Sequence, residues 1–225
     1  AGASVDLRSY AVMLAQRAAG ELGTAVPLGL AAAAGARVML AGGACDIAQA
    51  RLNAVTVPTS TRETMQLAGF LALRESVVAA ADNRPGDVGA PLEFAAELAA
   101  RTGEGNAYGL GFGPLNVRLY RMTGLLETGD YGQAAAIAES TDPQAHVNRS
   151  RRAAYWADYG RALARLRGRH ADAVRALRTA ERISPRLIQR GPVIRETLAE
   201  LLGKAQRDAV GRELHDMARR AGLPT

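Results

Sequence analysis

The chain is 225 residues long, enough to bury roughly 70% of its unfolded surface in a core without disulfide or metal staples. Aromatic residues make up only 4%, there is one cysteine and one lysine, and the wealth of Ala, Leu and Arg favours helix, so a disulfide scaffold is excluded and an all-helical chain expected. The net charge of +6 is uneven, with eight basic against ten acidic residues up to residue 110 and twenty against twelve beyond it. The later arginines alternate with acids, as in Arg178, Glu181 and Arg182, which marks solvated helix faces rather than a nucleic-acid stripe. Such a stripe also uses stacking aromatics, and none follows Tyr159.

Ser4 to Leu22 reads as an amphipathic helix with Leu7, Val12 and Leu14 among its apolar positions, ended by Gly23. Pro27 opens an Ala-rich helix to Ala41, and Gly42-Gly43 turns the chain into a helix from Ala44 to Val55, closed by Pro58. The apolar-looking stretch from Pro27 to Ala48 contains Arg37 and Asp46 and is mostly Ala and Gly, which excludes a membrane span. Cys45 within it reads as a small core residue. Ser60-Thr61-Arg62-Glu63 has capping-box spacing and starts a helix that lasts to the Asn83-Arg84-Pro85-Gly86 break. Leu92 to Arg101 returns antiparallel, and a glycine-rich connection from Gly103 to Gly113 leads to Pro114, which opens a helix to Thr128. Gly129-Asp130 turns the chain into a helix from Tyr131 to Glu139. Asn148 caps the helix that follows.

From Tyr155 to Pro185 the residues Trp156, Tyr159, Gly160 and Leu163, then Gly168, then Ala173, Leu177, Ala180 and Pro185 follow the tetratricopeptide order of large, small and breaker positions. Gly86-Asp87-Val88-Gly89 and Gly129-Asp130-Tyr131-Gly132 are nearly one string, and Gly43, Gly86, Gly129 and Gly168 are spaced by 43, 43 and 39 residues. Regular units of two helices predict an all-α, tetratricopeptide-like, right-handed solenoid of about five antiparallel pairs, in which no unit buries its apolar face alone. The pairs fall at about 4–41, 44–83, 91–139 and 149–185, in one domain over 1–225. A helix from Pro192 to Leu202 and a last one from Arg207 to Ala221, its polar face carrying Arg207, Arg212, Glu213, Arg219 and Arg220, form a C-terminal cap over 192–222.

Catalytic and metal chemistry find no pattern. Gly109-Leu110-Gly111-Phe112-Gly113 follows a helix and lacks the third glycine spacing of a dinucleotide loop, so it reads as a crossing between hairpins with Phe112 anchored in the core. His146, His170 and His215 sit on separate elements without ligand spacing, and no nucleophile elbow or carboxylate pair occurs, so neither an enzyme, a metal nor a cofactor is expected. A solenoid instead offers a concave face lined by the first helix of each pair. The ligand-contact candidates there are Arg74, then Asn116 and Tyr120 four apart on one face, then Tyr155, Asp158 and Arg161. Asn116 suits a peptide or small polar ligand because its amide both donates and accepts; the plainer alternative has Asn116 linking helices and Tyr120 in the core.

Three strings carry a family resemblance: GFGPLNVRLYRMTGLLETGDYGQAAAIAE over 111–139, RAAYWADYGRALARLRGRHADAVRALRTAERISP ending at Pro185, and the stretch Arg190-Gly191-Pro192-Val193-Ile194-Arg195-Glu196. In order and spacing they resemble the C-terminal tetratricopeptide-like region of actinobacterial helix-turn-helix regulators of the xenobiotic-response-element (XRE) type. The resemblance covers about residues 60–222 well and the first 58 loosely. It implies a ligand-sensing and dimerising domain of a transcriptional regulator, with DNA reached only through an N-terminal helix-turn-helix that this chain does not carry. An interaction scaffold without a small ligand is the alternative. One cysteine and the lack of a secretory pattern at the N-terminus give cytoplasmic as the expected location, with no membrane partner.

Overall fold

Among the described residues the chain forms twelve α-helices and no strand. The computed structural model describes residues 2–204 and 209–224, with side chains from residue 7 onward except that of residue 8. Where the sequence predicts one repeat domain, the chain divides into two compact units, 1–128 and 129–225. Among the described residues no helix is long and apolar enough to cross a membrane.

The first unit holds α1 (Gly2–Leu22), α2 (Ala25–Ala41), α3 (Cys45–Asn53), α4 (Arg62–Ala81), α5 (Gly89–Thr102) and α6 (Pro114–Glu127). α4 is its centre and packs on α2, α3, α5 and α6. It gives Leu67, Phe70, Leu71 and Leu73 to a core that also takes in Leu52, Leu98, Phe112 and Tyr120. Small residues let the backbones approach. A methyl group on Gly69 of α4 would lie 2.2 Å from the Phe112 ring, and one on Gly29 of α2 would lie 2.9 Å from Val57.

Two sequence expectations shift here. The cap of α4 is Thr61, not Ser60: the Thr61 hydroxyl accepts from the Thr64 backbone N–H at 3.2 Å, and the Thr61 N–H donates to the Thr64 hydroxyl at 3.1 Å. Thr64 supplies the return bond, so Glu63 is not needed for it. The apolar side of α1 also differs: of the expected Leu7, Val12 and Leu14, only Val12 lies on the covered side. Ser9, Val12, Gln16 and Ala19 are its more buried positions, with the Gln16 amide close enough to Gly35 of α2 that an added methyl there would meet it at 3.0 Å. Leu7, Tyr10, Met13 and Leu14 remain 47–70% exposed.

The connection 103–113 is tied down at several points. Arg62 donates to the Thr102 carbonyl at 3.0 Å, the Gln66 amide oxygen accepts from the Ala107 N–H at 3.0 Å, and Asn106 accepts from the Gly111 N–H at 3.0 Å. The Glu104 carboxylate accepts from the Leu115 N–H at 2.7 Å, capping α6. A carboxylate of the chain itself thus occupies the anion-attracting helix start.

The second unit holds α7 (Tyr131–Glu139), α8 (Arg149–Arg165), α9 (His170–Ile183), α10 (Pro185–Arg190), α11 (Pro192–Leu202) and α12 (Ala209–Arg220). Asn148 caps α8 as expected, accepting from the Ser150 N–H at 2.8 Å. α8 and α9 form the tightest pair, and Gly160 is what allows it: an added methyl would lie 2.7 Å from Leu177. Pro185 does not simply end α9 but opens the unpredicted α10, where a missing N–H costs nothing at the first position. α12 packs on α9 and α11, while Arg207, expected on its polar face, lies outside the described residues.

The turn glycines share a conformation. Gly43, Gly129 and Gly168 have φ of 78°, 83° and 77°, a left-handed turn that side chains with a Cβ resist. Gly86 departs from the series: it lies in a 3-10 turn over Pro85–Asp87, and the left-handed residue nearby is Asn83 at φ 54°.

Candidate functional site

α4 and α6 bring Arg74 and Tyr120 together in the first unit, and Asn116 lies one turn before Tyr120 on α6. The Arg74 guanidinium lies 5.0 Å from the Phe70 ring centre and 5.7 Å from that of Tyr120, and the two rings meet edge-on at 6.3 Å. Each cation–aromatic contact contributes about 0.5–2 kcal/mol depending on desolvation. No carboxylate pairs with Arg74 among the described residues, and its buried Nε has no hydrogen-bond partner. Glu75, next in sequence, points to another side of α4, where burial pushes its carboxyl pKa up.

Asn116 is fully enclosed at 0% exposure in the first turn of α6, and neither its amide nitrogen nor its oxygen has a partner. Tyr120, one turn on, is 2% exposed and belongs to the core. Arg74 thus rests on the rings of Phe70 and Tyr120, and the unsatisfied amide of Asn116 lies one helical turn before Tyr120 on α6. Asn116 and Tyr120 are reached only if the packing around them opens.

The candidates of the second unit have different surroundings. Tyr155 is 4% exposed and its hydroxyl donates to the Ala138 carbonyl at 2.9 Å, which locks α8 onto the end of α7. Burial, with the nearby Tyr159, Asp142 and Glu139, pushes its pKa up to about 12. Asp158 and Arg161 are mostly buried and pair with each other at 3.1 Å. Beside them the Tyr159 hydroxyl donates to Glu139 at 3.0 Å, and Arg169 donates to the same carboxylate at 3.0 Å and to Asp172 at 2.6 Å.

No known family matches the chain, and no curated protein or solved structure is significantly similar to it.

Among the described residues no three His, Cys, Asp or Glu side chains gather as a metal site would require. His146 is buried and its Nδ1 accepts from the Asn148 N–H at 3.0 Å, next to the α8 cap. Cys45 is half-buried, and burial followed by the charges of Asp82 and Asp46 pushes its thiol pKa up, away from the nucleophilic thiolate. The sequence points to Asn116 and Arg74 by helical spacing. It carries no signal for Glu181, an apparently solvated acid that is buried and bonded to Arg220 thirty-nine residues away.

Proposed function

We propose that this chain is the ligand-sensing and self-association domain of a transcriptional regulator, built as a right-handed tetratricopeptide-type stack. A peptide or small molecule binds at Arg74, Asn116 and Tyr120. The observation that carries the reading is an arginine held on the Phe70 and Tyr120 rings without an anion, while Asn116, one helical turn before Tyr120, is enclosed without a partner. Leaving a buried polar group unsatisfied costs about 1–3 kcal/mol, and a native fold that keeps one commonly uses it. A ligand that offers an acceptor to Arg74 and an amide to Asn116 removes that cost. Because Asn116 is enclosed, binding must open the first turn of α6, so the ligand selects between two arrangements of the helix. That coupling is what a sensor needs. The repeated glycine turns and the resemblance of 60–222 to XRE-type regulators support the regulatory setting.

Calorimetry of the whole chain against blocked dipeptides and small carboxylates tests the site. Binding is expected to weaken at least tenfold in Arg74→Gln. Asn116→Leu is expected to bind poorly yet gain about 1–2 kcal/mol of stability without ligand, because an apolar group of similar size replaces an unsatisfied one. If ligands bind both variants as they bind the parent, the site is elsewhere. If none binds, the sensing reading fails and the scaffold alternative takes its place.

Self-association finds support in α1. Leu7 and Leu14 are exposed seven residues apart, and Ala11 and Ala18, also exposed, repeat at the same interval on the same side. In an antiparallel copy each leucine faces an alanine, a self-complementary fit for a two-fold dimer. Sedimentation equilibrium is expected to give a dimer for the parent and a monomer for Leu14→Glu. A monomeric parent at about 100 μM, far above a micromolar dissociation constant, rules the dimer out.

A further inference from the structure

We propose that a cavity between α1 and the last turns of α2, separate from the Arg74 site, binds a medium-chain aliphatic carboxylate. The covered stripe of α1 is short of apolar bulk, since Ser9, Val12, Gln16 and Ala19 are its more buried positions. At its Ser9 end a cavity of about 420 Å³ remains, walled by Val38 and Met39 of α2 together with Ala41 and, just before α3, Ala44. A water-sized group takes up about 30 Å³ of liquid, so the space matches a chain of about ten carbons with its carboxylate, about twelve non-hydrogen atoms, without strain.

The wall decides the chemistry of the ligand. Apolar side chains with a few polar groups are the make-up of a small-molecule site, and here the polar side chains of the lining are Ser9 and Arg37. A peptide or nucleotide would bring several polar groups that such a wall cannot satisfy, whereas an aliphatic chain brings none. Arg37 is the one charged residue of the lining among the described residues, and it is exposed, which puts its guanidinium at the mouth. A guanidinium carries five N–H donors, so Arg37 takes a carboxylate in addition to the contact it makes within the chain. An aliphatic amine would set its cation against that of Arg37, and the sign of the ligand's polar end follows.

Calorimetry of the whole chain with sodium decanoate, kept below its micelle concentration, tests the site. Saturable binding is expected, and octanoate is expected to bind roughly tenfold more weakly because it buries two fewer methylenes. Decyltrimethylammonium, of the same chain length and opposite charge, is expected to bind at least about tenfold more weakly than decanoate. Arg37→Gln is expected to weaken decanoate about fivefold and leave decanol unchanged, since only the charged end meets the guanidinium. Ser9→Phe places a ring in the cavity and is expected to abolish binding of both. Where that variant fails to fold, Ala41→Trp at the exposed rim carries the same expectation, with urea unfolding as in the parent. Arg74→Gln and Leu14→Glu are expected to bind decanoate normally, which separates the cavity from the site on α4 and α6 and from the exposed leucines of α1. No saturable binding of decanoate, equal binding of the ammonium compound, or full affinity in Ala41→Trp overturns the proposal. So does loss of decanoate binding in Arg74→Gln or Leu14→Glu, which would place the ligand elsewhere.

Discussion

Phe112→Ala is expected to destabilise the first unit by about 3–5 kcal/mol, the cost of removing a fully buried aromatic side chain and leaving a cavity. Phe112 is 0% exposed, and its ring sits where a methyl group on Gly69 would be, directly on the backbone of α4. Collapse cannot fill that space, because the floor is main chain and the walls are core side chains of α4 and α6. The same contact predicts a loss from the other side: Gly69→Ala forces the ring away from α4 and costs about 1–3 kcal/mol by overpacking. Phe94→Ala serves as the control, since Phe94 is 44% exposed on α5 and its loss is expected to cost under about 1 kcal/mol. Urea unfolding followed by circular dichroism measures all three. A Phe112→Ala loss no larger than that of Phe94→Ala would show that the ring does not fix α6 to α4. Phe112 also bears on the site, because it precedes α6 by two residues and Asn116 lies in the first turn of that helix.

Helix existence was legible wherever a breaker or cap is local. Pro114 and Pro192 open helices as their chemistry dictates, Asn148 caps α8, and Gly129 and Gly168 turn with positive φ. Local signals with two meanings failed. Pro185 reads as a stop for α9 and is equally a start, and adjacent Ser60 and Thr61 both fit a cap until the backbone chooses one. The remaining gaps are nonlocal. Helical spacing grouped Asn116 with Tyr120, but nothing in the string tells that Arg74 beside Glu75 goes without a carboxylate. The amphipathic pattern of α1 was visible while its direction was not, since the side of a helix that is covered depends on what α2 presents. The run Arg178, Glu181, Arg182 looks like a solvated face, and it is one for Arg182 alone, because α12 folds back over Glu181.

That fold-back yields the last expectation, a loss of stability of the second unit in acid that depends on Glu181. Its side chain is only 4% exposed and holds α9 to α12: Arg220 donates two bonds to it at 2.8 and 2.9 Å, and Arg178 donates a third at 2.6 Å. Burial alone raises the carboxyl pKa, but the bonds from Arg220 and Arg178 more than offset this and hold it below the ordinary value. A depressed folded-state pKa means that the stabilisation is complete above the unfolded carboxylate pKa of about 4.3 and is lost as pH falls through the folded value. Glu181→Ala is expected to cost about 2–3 kcal/mol near pH 7, toward the lower end for a broken buried pair. The two guanidiniums left behind are partly exposed and keep Glu213, at 3.0 Å from Arg178 and 3.3 Å from Arg220, which limits the loss. Other carboxylates titrate in the same range, Glu139 among them with its pKa held down by Arg169 and Tyr159, so the informative quantity is the difference between parent and variant. Urea unfolding read by Trp156 emission should show Glu181→Gln well below the parent at pH 6 and converging with it as pH falls to 3. A gap that stays constant across that range would mean that the carboxylate is not the group that ties α12 down.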